Sequence, residues 1–153
     1  MSKVPYEEAI GQLSEENLAI VKTLHERVAA LGYEPTSTLN GKKVNCYNIE
    51  YKKPKSVGAL YIVRIDSNDL LLRCKLFHLA EYLGVINELP DSIKHALLTS
   101  RGCGRHGSCK GPVSFELAGE AFTFCRHAIE FKPVSSDDVD GIWKLLSAED
   151  ASR

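Results

Sequence analysis

The hydrophobic period of the chain changes between its first third and its middle. Between Ser14 and Gly32, Leu18, Val21, Leu24, Val28 and Leu31 recur at three- and four-residue spacing, the mark of a helix with one buried stripe. Ser14 is placed to cap that helix, and Glu15 and Glu16 occupy the first turn, where the helix dipole favours acids. Gly32 is placed to end it. His25 falls one residue off the stripe, so the pattern puts it on the helix surface. Upstream, Pro5 opens a short helix through Tyr6-Glu-Glu-Ala-Ile, since proline suits a first turn.

From Thr36 to His78 the period is two. Asn40-Gly41 is a hairpin-turn signal and predicts a strand from about Val44 to Lys52. A second strand is predicted from Val57 to Ile65 and a third from Asp69 to Phe77, joined by the turn composition Asp66-Ser-Asn-Asp69. Short connections make these an antiparallel meander. On one face stand Tyr61, Val63, Ile65, Leu70, Leu72, Cys74 and Leu76; on the other, Arg64, Arg73 and Lys75 stand beside Leu60, Ile62, Leu71 and Phe77. Downstream, the pattern predicts short helices at Leu79–Val85 and after Pro90, strands at Val113–Leu117 and Ala121–Phe131, and a last helix beginning after Ser135-Ser136. The fold class that results is α+β, a single domain in which helices pack on an antiparallel sheet of about five strands, the Ser14–Leu31 helix covering one face.

Composition narrows the function classes. An apolar fraction of 44% and a charged fraction of 25% over 153 residues describe an ordinary globular domain able to bury its own core. A net charge of -1 argues against electrostatic binding of nucleic acid or of an anionic membrane. No apolar run reaches transmembrane length, and the polar stretch Ser2 to Glu8 does not read as a signal peptide, so a cytosolic protein is expected. Structural disulfides are rare in that compartment, and five cysteines therefore point to metal, thiol chemistry or plain burial.

The densest chemistry lies in Gly102 to Gly111, Gly-Cys-Gly-Arg-His-Gly-Ser-Cys-Lys-Gly. Its glycines permit a tight loop, and Cys103, His106 and Cys109, with two residues intervening in each step, can converge within it. Cys125 and His127 alternate on a predicted strand and so share a face. Thiolate and imidazole are the donors zinc prefers, four to a structural site, so this set predicts a zinc centre that holds the loop against the strand. The spacing is that of no standard finger. Free thiols in a tight connection are the bland alternative. A third is a redox pair of Cys103 and Cys109 activated by Arg101, Arg105, Lys110 and Arg126, because nearby cations favour the thiolate. No nucleophile elbow, phosphate-binding loop, dinucleotide fingerprint or His-Glu-x-x-His occurs, and a Cys125–His106 nucleophile pair has only residue type in its favour, so no catalytic residue is assigned.

Three segments, Leu72-Arg-Cys-Lys-Leu-Phe-His78, Gly102-Cys-Gly with Cys109-Lys-Gly, and Phe115-x-Leu-x-Gly119-x-x-Phe122-x-x-Cys125, resemble a group of small uncharacterised bacterial proteins over about Tyr6 to Leu146. The resemblance implies no particular activity. It implies more weight on Cys103, Cys109 and Cys125 than on His106 and His127, and it adds Cys74 as a candidate fourth ligand.

The polar face of the meander is the other candidate. Arg64 close to Arg73 or Lys75 is unfavourable unless solvated or matched by an anion, with Glu50 on the preceding strand as an internal alternative. Leu60, Ile62, Leu71 and Phe77 beside them predict a groove for a small anionic or amphipathic ligand.

Overall fold

The computed structural model describes residues 2–43, 45–56, 58–99, 113–117, 120–124, 129–133 and 135–153. In chain order the elements are β1 (Ser2–Val4), α1 (Tyr6–Ile10), α2 (Glu15–Ala30), β2 (Glu34–Leu39), β3 (Cys46–Lys52), β4 (Tyr61–Asp66) and β5 (Asp69–Cys74). A 3-10 turn at Leu79–Tyr82 leads into α3 (Leu83–Asn87) and α4 (Asp91–Thr99), followed by β6 (Val113–Leu117), β7 (Glu120–Phe124), β8 (Ile129–Phe131) and α5 (Ser136–Ser152).

The main sheet is antiparallel throughout, with strand order β1-β2-β3-β4-β5-β8, while β6 and β7 form a separate two-stranded antiparallel pair among the described residues. The α+β class is as expected; the sheet has six strands rather than about five. Two causes produce the difference. Ser2-Lys-Val4 has no apolar alternation of its own and becomes a strand only by pairing with β2, Lys3 opposite Thr38. The single strand expected over Ala121–Phe131 divides, its first part pairing with β6 and its last three residues joining the sheet edge beside β5.

Local signals behave as their chemistry dictates. The Ser14 hydroxyl accepts from the Asn17 N–H at 3.3 Å, and Ser135 does the same for Asp138 at 3.3 Å, so both long helices carry side-chain caps. Gly32 follows the end of α2 at φ +94°, a conformation that disfavours any residue with a Cβ. The α2 stripe of Ile20, Val21, Leu24 and Val28 and the α5 residues Val139, Ile142, Leu145 and Leu146 pack with Ile49, Tyr51, Val63, Ile65, Leu72, Ile129 and Phe131 of the sheet in one cluster. Each fully buried aliphatic side chain there contributes about 1.5–3 kcal/mol relative to exposure. The buried side chains of α1 and α4, Ala9, Ile10, Ile93 and Leu97, belong to the same cluster, so the described helices share one face of the sheet. None of them is long and apolar enough to cross a membrane.

Two expectations about single residues are corrected. His25 is no simple surface residue: its ring stacks on Tyr6 with centroids 4.5 Å apart, and Nδ1 meets the Tyr51 hydroxyl at 3.0 Å. Position 25 borders the stripe closely enough for α1 and β3 to enclose it. Leu60, expected on the polar face, is fully buried in the core, because inner and outer positions alternate regularly only within the β4 ladder from Tyr61 onward.

Candidate functional site

The face opposite the helices is built by the outward positions of β2 to β5. Ladder register places Thr36, Glu50, Ile62, Arg73 and Glu130 in one cross-strand row, and Thr38, Asn48, Arg64 and Leu71 in the next. These rows line a groove of about 260 Å³ from Thr36 and Thr38 to Leu71 and Arg73. A third row, Asp66 opposite Asp69, closes the β4–β5 turn. There a second hollow of about 440 Å³ adjoins the first; Arg64 and Leu71 line both, and Asp66, Asn68, Asp69 and Lys132 complete much of the second. Arg64 therefore stands where the two depressions meet.

The charges in the groove are not equivalent. Arg73 donates from Nη2 to Glu130 Oε1 at 2.7 Å and from Nε to the same oxygen at 3.2 Å, so a carboxylate on the neighbouring strand already answers it. Glu50, the expected partner, lies opposite Ile62 and meets Lys52 at 3.5 Å instead. Arg64 is half-buried opposite Asn48 and Leu71 and makes no hydrogen bond or ion pair among the described residues. The register sets Arg64 and Arg73 diagonally rather than side by side, which eases the repulsion the sequence suggested. Lys75 lies beyond the end of β5 and is not part of the groove lining.

The metal-ligand candidates fall differently. Cys103, His106, Cys109, Cys125 and His127 lie outside the described residues. Cys74 is fully buried opposite Tyr61, and burial pushes its thiol well above the ordinary range, so it sits in the core as a neutral thiol. Among the described residues no group of three or more His, Cys, Asp or Glu side chains could hold a metal ion.

One polar cluster went unread in the sequence. Glu149, fully buried on α5, accepts from the His78 N–H at 2.9 Å, the His78 ring at 2.8 Å, the Tyr82 hydroxyl at 3.0 Å and Arg153 Nε at 3.1 Å. A carboxylate beside a guanidinium only accepts, which assigns the proton of the ring contact to Nδ1. Burial and the adjacent carboxylate both hold the Tyr82 hydroxyl far above its usual range. With every acceptor position engaged, the cluster reads as a tether of α5 to the end of the meander. The signal for Thr38 and Asn48 of the groove and for Asp66 and Asp69 of the adjoining hollow was present in the alternation but needed the strand register to be seen, whereas Lys132, past the end of β8, had no such signal. Comparison with family models, with curated proteins and with solved structures gives no match for this chain.

Proposed function

We propose that the protein is a binding module that takes a small anion-bearing ligand on the face of its sheet opposite the described helices, with Arg64 as the anchor. One observation carries this reading: a half-buried guanidinium without a partner among the described residues, at the meeting point of two hollows. A guanidinium presents a planar fork that matches a carboxylate or phosphate through two parallel hydrogen bonds. Charge-assisted bonds of that kind contribute about 1.5–3 kcal/mol each. Asn48 stands directly opposite on β3 and Thr38 beyond it on β2, adding polar groups that can orient the anion, while Ile62 and Leu71 offer apolar surface for the rest of the ligand.

Thermal unfolding in the presence of a panel of carboxylates, phosphates and nucleotides tests the reading. At ligand concentrations near 100 times Kd, binding adds about 2.7 kcal/mol, a rise in Tm of about 5–10 °C for a chain of this size. Arg64→Gln should abolish that rise, whereas Arg73→Ala should only reduce it, because Arg73 is already paired with Glu130. No rise with any compound removes the reading.

A second reading rests on the sequence observation that Cys103, His106 and Cys109 recur at even spacing in a glycine-rich stretch, with Cys125 downstream. In it the protein holds a structural zinc ion in a cytosolic setting, where thiols stay reduced. Metal analysis of untagged protein should find close to one equivalent, and Cys109→Ser should lose it. Less than about a tenth of an equivalent, with every thiol titrating freely, sinks this second reading.

A further inference from the structure

The anion anchored on Arg64 accounts for one sign of charge, but the 440 Å³ hollow on its far side is lined by both. Lys132 brings a second cation to the hollow, next along the chain after β8, the strand that pairs with β5. Asp66 and Asp69 face each other across the β4–β5 turn, and like charges placed directly opposite are unfavourable. Lys43 relieves Asp66 only loosely, at 3.5 Å with both side chains about half exposed. Asp69, like Arg64 and Lys132, has no side-chain partner among the described residues.

Ions of opposite sign thus line one hollow without neutralising each other. Strand geometry explains the separation. Arg64 and Asp66 are two positions apart on one face of β4, which sets their Cα atoms about 6.5–7 Å apart. A ligand whose own charges are a few ångströms apart can meet both ends at once.

We propose that this hollow selects a zwitterion: a small amino acid, its carboxylate on Arg64 with Lys132 alongside, its ammonium against Asp69 and Asp66, and its carbon chain over Leu71. The proposal rests on the Arg64 anion site described above and names the ligand class that the rest of the hollow adds to it. Asn68 and Asn17, which also line the hollow, hold the acidic end in place: the Asn17 side-chain amide donates to the Asn68 carbonyl at 2.8 Å, and the Asn68 side chain accepts from the Ser14 N–H at 2.8 Å. The β4–β5 turn that carries both carboxylates is therefore bound to the start of α2.

Isothermal titration with three matched probes decides it: 4-aminobutanoate, butanoate and butylamine, with alanine against propanoate as a shorter pair. The expected result is that at least one amino acid binds about tenfold or more tighter than its matched carboxylate, a difference of about 1.4 kcal/mol, and that butylamine binds weakest. Asp69→Asn should erase the amino-acid advantage without weakening the simple carboxylates. Arg64→Gln should weaken amino acid and carboxylate alike. Asp69 is exposed at the first position of β5, so its variant should fold, and circular dichroism of both variants without ligand checks this. Carboxylates that bind as tightly as the amino acids would overturn the zwitterion and leave the anion site standing. Binding of neither would overturn both, and an amino-acid advantage that survives Asp69→Asn would overturn the assigned role of the acidic end.

Discussion

Glu149 and His78, 71 residues apart in sequence, are joined twice: one carboxylate oxygen accepts the His78 N–H at 2.9 Å, and the other meets the His78 ring at 2.8 Å. Each oxygen then takes a second donor, Tyr82 on the first and Arg153 on the other. Arg153 also donates to the carbonyls of Ala59 and Lys75, both at 3.1 Å. The C-terminal turn of α5 is thereby bound to the 3-10 turn, to the end of β5 and to the approach to β4.

Removing the carboxylate should expose how much this arrangement holds. Glu149→Ala leaves a guanidinium, an N–H and a hydroxyl without their acceptor in a buried site, and the expected cost is about 3 kcal/mol. Tyr82→Phe removes one donor from an acid that keeps three and should cost about 1 kcal/mol. Urea denaturation at neutral pH measures both. A loss under about 0.5 kcal/mol for Glu149→Ala would show that the contacts do not contribute to stability.

Stability should fall as the solution is acidified below neutrality, with His25 among the causes. Burial lowers the pKa of its ring, against smaller opposing effects of Glu26 and Glu7. The folded protein therefore binds fewer protons at this site than the unfolded chain, whose imidazole titrates near its ordinary value of about 6.5. The contribution is whole above that value and is lost as pH drops through it toward the lower folded pKa. His25→Phe keeps a ring against Tyr6 but cannot titrate, so its stability should decline less between pH 7 and pH 5 than that of the parent. Equal slopes would assign the pH dependence elsewhere.

Gly141 lies inside α5, where alanine would ordinarily gain about 1 kcal/mol in helix propensity. Here a Cβ would come within 2.9 Å of Pro90 Cδ and 3.1 Å of Ile93 Cγ1. Pro90 Cδ belongs to a rigid ring at the start of α4 and cannot rotate away. Overpacking of this kind costs about 1–3 kcal/mol, so Gly141→Ala should destabilise on balance. A higher Tm for the variant would mean that α4 shifts more freely than the contacts indicate.

Arg73 and Glu130 tie the edge strand β8 to β5 where only three ladder pairs hold it. Both side chains are about two-fifths exposed, so Arg73→Ala should cost no more than about 1 kcal/mol, and less at high salt. Arg64→Gln should leave unfolding nearly unchanged in the absence of ligand, since the guanidinium has no partner among the described residues to lose. A large destabilisation by Arg64→Gln would make that side chain structural and weaken its assignment as an anchor.

What the sequence determined alone is what neighbours along the chain decide. Ser14 and Ser135 lie a few residues from the N–H groups they accept from, and alternation within Tyr61–Asp66 and Asp69–Cys74 sorts inner from outer positions because successive strand side chains point to opposite faces. The face carrying Arg64 and Arg73 was legible for the same reason. Tertiary structure decided the rest, wherever a residue's state depends on a partner far along the chain. Arg73 is answered by Glu130 rather than Glu50 because β8 joins the sheet 57 residues later. Arg64 stays unpaired among the described residues because register sets it opposite Asn48 and Leu71. Glu149 looks like one more acid in a charged C-terminal helix until folding delivers four donors to it. Periodicity reports which way a side chain points, but pairing between distant segments determines what it meets there, and that pairing is set by the packing of the whole core.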